Sequence, residues 1–171
     1  LGYLTPEYAF NNGAHVVKHL HIQELLVCVL ILDGVLDELD VYHLSALLCC
    51  IGQSEKRRGD GRPPMIPFDR NLLRRVRNIL RKVRDAGAEQ VEPIELNFDY
   101  GVVGLMWCQG ADFSELMRMS NLDEGDIISC FRQTIDLIKQ LKDVYQADEK
   151  MIQHLNVCID ILDRDVVRVV L

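Results

Sequence analysis

The sequence predicts an all-α helical bundle with a small β-hairpin at its amino terminus. Two observations predict the bundle: apolar residues recur at three- and four-residue spacings along most of the chain, and glycine and proline gather in a few short segments. A third, the alternation typical of strands near residue 1, predicts the hairpin. Because 171 residues with 49% hydrophobic content can bury one sizeable core, we expect a single helical domain after it.

The amino-terminal elements are a hairpin and two helices. In "LGYLTPEYAFNNG" a Thr-Pro-Glu turn separates two short alternating runs, so we assign residues 1–13 to the wing of a winged-helix domain and residues 14–171 to the bundle. The first bundle helix is expected over residues 14–33, ended by Gly34. Asp40 is expected to cap the second, which carries "VYHLSALLCCI".

The middle of the chain is strongly basic. Residues 52–67 hold three Pro and three Gly and predict a flexible basic loop, after which Asp69 caps a helix over residues 70–86. Residues 56–84 contain 11 Lys/Arg and two acids, a local charge of +9, although the whole chain carries −7. Such asymmetry is typical of an interaction surface.

The helix over residues 70–86 has an apolar stripe and, on the opposite side, an arginine face formed by Arg70, Arg74, Arg77, Arg81 and Arg84. Regularly spaced guanidinium groups suit contacts with nucleic-acid phosphates. The alternative is a solvated face that pairs with acids elsewhere in the domain, where each exposed pair contributes about 0–1 kcal/mol.

Four further helices are expected. One spans about 99–108 and ends at Gly110, and Asp112 caps the short helix "FSELMRM". Asn121 and Glu124 have the spacing of a capping box for a long helix over about 123–146, and "DEKMIQHLNVCIDIL" forms the last helix.

The long helix has an apolar side and a polar side. Helical spacing groups Ile127, Ile128, Phe131, Ile135, Ile138 and Leu141 for burial. The other side carries a polar stripe formed by Ser129, Arg132, Gln133, Asp136 and Gln140. This stripe is the second candidate binding surface.

Several classes of function are disfavoured. The chain has neither a P-loop nor a G-x-G-x-x-G at a strand–helix junction, so we expect no nucleotide site and no catalysis by this segment alone. His15 and His19 have the i, i+4 spacing of two metal ligands but lack the glutamate of H-E-x-x-H, so no metal site is expected. The six cysteines lie in apolar helical patterns and are interpreted as buried thiols.

The compartment can also be predicted. No run of 18 apolar residues exists to span a membrane, and no signal peptide is recognisable, so we expect an intracellular, most simply cytoplasmic, protein. Because the chain opens on Leu1 rather than Met, we expect it to be part of a longer protein.

The carboxy-terminal third resembles the DSHCT domain, the C-terminal helical bundle of superkiller- and exosome-associated DExH-box RNA helicases of superfamily two. The resemblance rests on "MWCQGADFSELMRMSNLDEGDIISCFRQTIDLIKQL" and "LDRDVV". The matching positions are Trp107, Gly110, Phe113, Glu124, Gly125, Asp126, Arg132, Gln140, Arg164, Asp165 and Val166. "LGYL", "NNGAHVVKHLHIQELLVCVLILDGVLDEL" and "HLSALLCCIG" extend it over most of the chain, and residues 53–97 match least well.

The resemblance implies a role in an ATP-dependent RNA helicase. The bundle would lie behind upstream RecA-like and winged-helix domains, which would bind ATP and Mg²⁺, and this segment would need no cofactor. The long ratchet helix would lay its polar stripe along single-stranded RNA or DNA. Arg132 would contact a phosphate or base, while Asp136 would either orient Arg132 by i, i+4 pairing or keep the groove from binding too tightly.

The resemblance also leaves structural roles open. The short segments between helices leave no room for the arch insertion of eukaryotic exosome-linked members, which suggests a bacterial-type member. Trp107 is interpreted as a core anchor, Gly125 as a position that permits close packing, and Arg164 with Asp165 as a structural ion pair.

Two alternatives remain. One is a free-standing interaction module for nucleic acid or protein, in which residues 112–118 and 123–146 form a helix-turn-helix. Acidic Asp123, Glu124 and Asp126 at the start of its recognition helix would repel phosphate. The other is a metal-dependent enzyme that uses His15 and His19.

Overall fold

The computed structural model describes residues 23–52, 66–86 and 96–168. In these ranges it contains seven α-helices and no strand, which confirms the helical class. The helices are α1 (Glu24–Leu32), α2 (Val41–Gly52), α3 (Arg70–Ala86), α4 (Phe98–Cys108), α5 (Phe113–Met119), α6 (Glu124–Val144) and α7 (Glu149–Leu162), with 3-10 turns at Leu36–Glu38 and Asp165–Val167. The predicted wing at 1–13, the helix start at 14–22 and most of the basic loop at 52–67 lie outside the described residues and stay predictions.

Three predicted aspartate caps are confirmed. The carboxylate of Asp40 accepts hydrogen bonds from the backbone N–H groups of the second and third helical residues at 2.9 Å. Asp69 does the same for α3 at 2.7 and 2.8 Å, and Asp112 accepts from the N–H of Glu115 at 2.7 Å. Each cap satisfies donors that have no partner within the helix.

The predicted capping box at the start of α6 is wrong. The helix begins at Glu124 and Asp123 occupies the N-cap position in an extended conformation, with φ −78° and ψ 150°. Asn121 is therefore two residues too early to act as the N-cap. Acids in the first turn still complement the positive end of the helix dipole.

Two glycines end helices as predicted. Gly34 adopts φ 76° after α1 and Gly110 adopts φ 99° after α4, a conformation that side chains other than glycine seldom adopt. In both cases the glycine N–H and the next N–H bond back to carbonyls in the last turn, at 3.0 and 3.1 Å after α1 and at 3.0 Å twice after α4. Both helices therefore close with Schellman motifs.

The core lies around α2, which packs against α4, α6 and α7, while α3 packs on α1. Trp107 is fully buried, as predicted for a core anchor; its ring stacks on Phe131 at 5.5 Å between centroids and meets Phe113 edge-on at 6.1 Å. The α2–α4 crossing is close, because Cβ atoms built at Gly101 and Gly104 would lie 2.4 Å from Cys50 Sγ and 2.8 Å from Cys49 Sγ.

All six cysteines are buried, as the sequence predicts. Burial raises the pKa of the Cys158 thiol to about 11, and it raises the pKa values of Cys28, Cys50 and Cys108 as well. The described helices include none that is long and apolar enough to cross a membrane.

Candidate nucleic-acid interface

The structure places the polar stripe on one exposed side of α6. Ser129, Arg132, Gln133 and Asp136 are exposed, and Gln140 is half-buried. The opposite side buries Ile127, Phe131, Ile135, Ile138 and Leu141 as predicted, whereas Ile128 lies at the edge and is half-buried. The 21-residue helix therefore presents its polar stripe opposite the side that packs in the core.

Arg132 and Asp136 do not pair with each other. Arg132 Nε donates to the carbonyl oxygen of Val167 at 3.2 Å, so the arginine is held by the C-terminal 3-10 turn. Asp136 Oδ1 instead contacts Lys139 Nζ at 3.2 Å, with both side chains more than three-fifths exposed. Of the two roles considered for Asp136, the orientation of Arg132 by i, i+4 pairing is therefore wrong.

Two charged residues on this side were missed. Lys139 and Asp143 are exposed and follow Arg132 and Asp136 by seven residues, or about two turns. Charges along the surface therefore alternate in sign and sum to zero. The heptad spacing from Arg132 and Asp136 could have identified both residues in the sequence.

Gly125 lies at the start of the same side and is exposed. A Cβ atom built there would have no described heavy atom within 4 Å outside its own helix and chain neighbours. The interpretation that Gly125 permits close packing is therefore wrong within the described domain. A glycine at an open helical position costs roughly 0.5–1 kcal/mol relative to alanine.

The arginine face on α3 is also exposed at all five positions. Arg74 and Arg81 donate to Asn71 Oδ1 and Asn78 Oδ1, each at 3.1 Å, which orients the guanidinium groups without neutralising them. Within the described residues, none of the five arginines forms an ion pair. Among the described residues, the face therefore does not show the pairing with acids that the alternative predicted.

Arg75, on the flank of α3, does form the ion pairs that the alternative predicted. It contacts Asp33 Oδ1 at 3.0 Å and also Glu38, and these carboxylates raise its pKa. The three residues join α3 to the end of α1 and the turn that follows. No local pattern in the sequence distinguishes Arg75, because its partners lie 42 and 37 residues away.

Arg164 has a structural role, but not the predicted one. Its guanidinium carbon lies 3.5 Å from the centroid of the Trp107 ring, and Nη2 donates to the carbonyl oxygens of Trp107 and Ala111, both at 2.7 Å. Trp107 Nε1 donates in turn to Leu162 O at 3.0 Å. Among the described residues Arg164 forms no ion pair with Asp165, so that prediction is wrong.

The described residues contain no group of three His, Cys, Asp or Glu side chains that could hold a metal ion. His43 contacts its helix cap, Asp40, with Nδ1 2.7 Å from Oδ2. His15 and His19 lie outside the described ranges, so the metal-enzyme alternative is not tested there.

Comparison with known proteins supplies the family. The sequence pattern of the DSHCT (NUC185) domain matches residues 11–170, nearly the whole chain. The chain belongs to the DSHCT family. This DSHCT domain therefore has the family that its Trp107, Glu-Gly-Asp and Arg164 positions suggested, and the bacterial-type assignment stays a prediction.

The DSHCT domain is similar to parts of three longer proteins. It is 28% identical over 150 residues to human Superkiller complex protein 2, covering 83% of this chain and 12% of that protein. It is 24% identical over 176 residues to the ATP-dependent RNA helicase mtr4 of Schizosaccharomyces pombe, covering 98% and 16% respectively. The DExH-box ATP-dependent RNA helicase DExH15 chloroplastic of Arabidopsis thaliana is 29% identical over 94 residues, covering 55% and 8%.

The DSHCT domain thus spans about an eighth to a sixth of the length of the first two relatives. Its surface offers two arrays of side chains, one nearly neutral on α6 and one strongly cationic on α3.

Proposed function

We propose that this chain is the C-terminal accessory domain of an ATP-dependent RNA helicase, and that the polar stripe of α6 guides single-stranded nucleic acid through the helicase ring. The domain is not catalytic by itself. ATP and Mg²⁺ act in upstream RecA-like domains of the same protein, and a winged-helix domain joins them to the bundle. The relatives named as ATP-dependent RNA helicases support this assignment of the whole protein.

The observation that carries the proposal is the position of the polar stripe on α6. Five side chains with donors, acceptors and both charge signs line one exposed side of a helix whose other side is core. Arg132 is held through Nε by Val167, and its remaining guanidinium N–H groups can donate to a phosphate or lie against a base. Ser129, Gln133 and Gln140 supply neutral hydrogen-bonding groups beside it.

Alternating charge suits a strand that must move. A uniformly basic groove would hold the phosphate backbone tightly, with an affinity that rises with each neutralised phosphate. Here Asp136 and Asp143 offset Arg132 and Lys139, so the surface positions the strand without a large net attraction. Rigid-body motion of the motor domains would then advance the strand past α6 in steps.

The test is a substitution in the full-length parent protein. Arg132→Ala combined with Asp136→Ala should lower the rate of RNA unwinding by about tenfold, which corresponds to about 1.4 kcal/mol. Basal ATP hydrolysis should stay within about twofold of the wild-type rate, because both residues lie in the accessory domain rather than in a nucleotide site.

Two controls separate guidance from folding. Lys150→Ala with Asp160→Ala changes the same charges on exposed positions of α7 and should leave unwinding unchanged. Gln133→Ala with Gln140→Ala keeps the bond from Arg132 to Val167 and should still slow unwinding. Normal unwinding by both polar-stripe variants would remove the stripe from the mechanism.

The helix-turn-helix alternative has weaker support. Helices α5 and α6 do follow each other, but Asp123, Glu124 and Asp126 stand at the start of α6, where a recognition helix contacts DNA. Measuring the mass of the native polypeptide, with sequencing of its peptides, distinguishes the two. A protein far above 19.6 kDa with P-loop and DExH peptides supports the helicase proposal, and a band near 19.6 kDa supports a free-standing module.

A further inference from the structure

Helix α3 contains a seven-residue sequence repeat, which the polar stripe of α6 does not contain. Residues 70–76 are "RNLLRRV" and residues 77–83 are "RNILRKV", so the same arrangement occurs twice along the helix. Each repeat presents an arginine at its first and fifth positions and an asparagine at its second. The two hydrogen bonds from Arg74 to Asn71 and from Arg81 to Asn78 are therefore equivalent, at 3.1 Å each.

The repeat spaces the guanidinium groups of the arginine face regularly. Successive arginines are three or four residues apart, which is about 4.5–6 Å along a helix axis. The arginine face therefore extends for roughly 21 Å. The opposite side of α3 buries Val76, Ile79 and Val83, and α3 packs against α1. The helix consequently cannot rotate its arginine face toward the core without exposing that apolar side.

None of the arginines of the arginine face forms an ion pair among the described residues, although Asp85 lines the same cavity as Arg81. Arg75 of the same helix differs from them, because it forms ion pairs with Asp33 and Glu38. All five arginines of the arginine face are exposed, and two of them, Arg74 and Arg81, donate to neutral asparagines. The described residues thus present a line of cations without ion pairs, although the whole chain carries a net charge of −7.

We propose that the arginine face binds the phosphate backbone of RNA, without preference for base sequence, as a contact surface separate from the polar stripe. Guanidinium groups form charge-assisted, often bidentate hydrogen bonds to phosphate oxygens. This inference goes beyond the proposed function and does not depend on it, since a surface on α3 could hold RNA whether or not α6 guides a strand.

A polyanion fits this surface better than a folded protein does. Protein interfaces place apolar and aromatic side chains at the centre of the contact. The exposed large apolar side chains of the described residues are Leu32, Tyr42, Ile66, Met119, Val157 and Val166, and none belongs to α3. Evenly spaced cations without an apolar centre match evenly spaced phosphates.

The test measures binding of fluorescein-labelled oligouridylate of about 20 nucleotides to the 171-residue chain by fluorescence anisotropy, at several salt concentrations between about 50 and 200 mM. Arg74→Gln with Arg77→Gln removes two exposed charges from the centre of the face. Loss of two phosphate contacts should reduce the slope of log affinity against log salt by about 1.4 and weaken binding roughly tenfold at the lowest salt.

The matched control is Arg118→Gln with Lys150→Gln, which makes the same change in net charge at exposed positions of α5 and α7. It should change affinity by less than about twofold and leave the salt slope intact. Arg74→Lys with Arg77→Lys should keep most of the slope, because lysine also neutralises phosphate. Circular dichroism melting checks that each variant is folded.

Three outcomes would overturn the proposal. The first is an equal loss of affinity in the Arg74/Arg77 variant and in the control variant, which would show that binding depends only on net charge. The second is a failure of the wild-type chain to bind the oligonucleotide. The third is polyglutamate of similar length binding as tightly as the RNA with the same dependence on Arg74 and Arg77, which would assign the face to an acidic polypeptide.

The same assay keeps the two proposals apart. Arg132→Ala with Asp136→Ala should change the salt slope at most about half as much as the Arg74/Arg77 pair does, because it removes one cation together with an acid. Failure of the polar-stripe proposal would appear as normal unwinding by the parent protein. Failure of the arginine-face proposal would appear as an unchanged salt slope in the isolated chain.

Discussion

Replacement of Gly101 by alanine tests the close crossing of α2 and α4. The added methyl group would lie 2.4 Å from Cys50 Sγ, 3.3 Å from the carbonyl oxygen of Ala46 and 3.4 Å from Pro67 Cγ. The first distance is about 1 Å shorter than ordinary contact between such atoms. Cys50 is fully buried, so its sulfur has no space into which to move.

The expected cost comes from two opposing effects. Overpacking of a buried crossing costs about 1–3 kcal/mol, whereas exchanging glycine for alanine in a helix returns up to about 1 kcal/mol. We expect Gly101→Ala to lower the free energy of unfolding by about 1–2 kcal/mol. For a chain of this length, that loss lowers the melting temperature by about 2–8 °C.

Urea denaturation followed by circular dichroism measures the change, with the slope against urea as a check on two-state behaviour. Combining Gly101→Ala with Cys50→Ala removes the clashing sulfur and should recover about 1 kcal/mol of coupling. Gly125→Ala is the matched control: it sits in open space and should stabilise the chain by up to about 1 kcal/mol. If Gly101→Ala is as stable as the wild type, the close crossing described here is incorrect.

Two further predictions concern Arg164 and the buried thiols. Arg164→Gln should lower the free energy of unfolding by about 2–4 kcal/mol, measured in urea, because it removes the contact with the Trp107 ring and at least one charged hydrogen bond. Arg164→Lys should be intermediate, and an unaltered midpoint would show that the contacts carry no stability. Burial raises the pKa of the Cys158 thiol to about 11, so the unfolded state releases its proton at lower pH than the folded state does. The free energy of unfolding, measured in urea, should accordingly fall as pH rises from about 9 to about 11. The fall should be larger in the wild type than in Cys158→Ala. Equal falls in both chains would contradict the raised pKa of the Cys158 thiol.

Local features of this fold could be predicted from sequence because their causes lie within a few residues. The caps of Asp40, Asp69 and Asp112 bond to N–H groups two or three residues ahead, and Gly34 and Gly110 act on the turn just before them. Helical periodicity likewise separated the buried side of α6 from its polar stripe.

Contacts between distant residues could not be predicted in the same way. Arg132 has an acid four residues ahead, which suggested a pair, but the C-terminal turn offers Val167 O to its Nε. Arg164 has Asp165 beside it, yet its guanidinium reaches Trp107, 57 residues earlier. In both cases a partner brought close by tertiary packing replaced the nearest oppositely charged residue in the sequence.

The contact between Arg164 and Trp107 makes the order of synthesis matter for this domain. A ribosome adds Trp107 long before it adds Leu162, which accepts the indole N–H, or Arg164, which covers the ring and donates to the carbonyl oxygen of Trp107. Until those residues emerge, the central tryptophan lacks the carbonyl that accepts its indole N–H and the guanidinium that lies over its ring. We therefore expect a chain that terminates before Leu162 to expose its tryptophan more than the finished chain does.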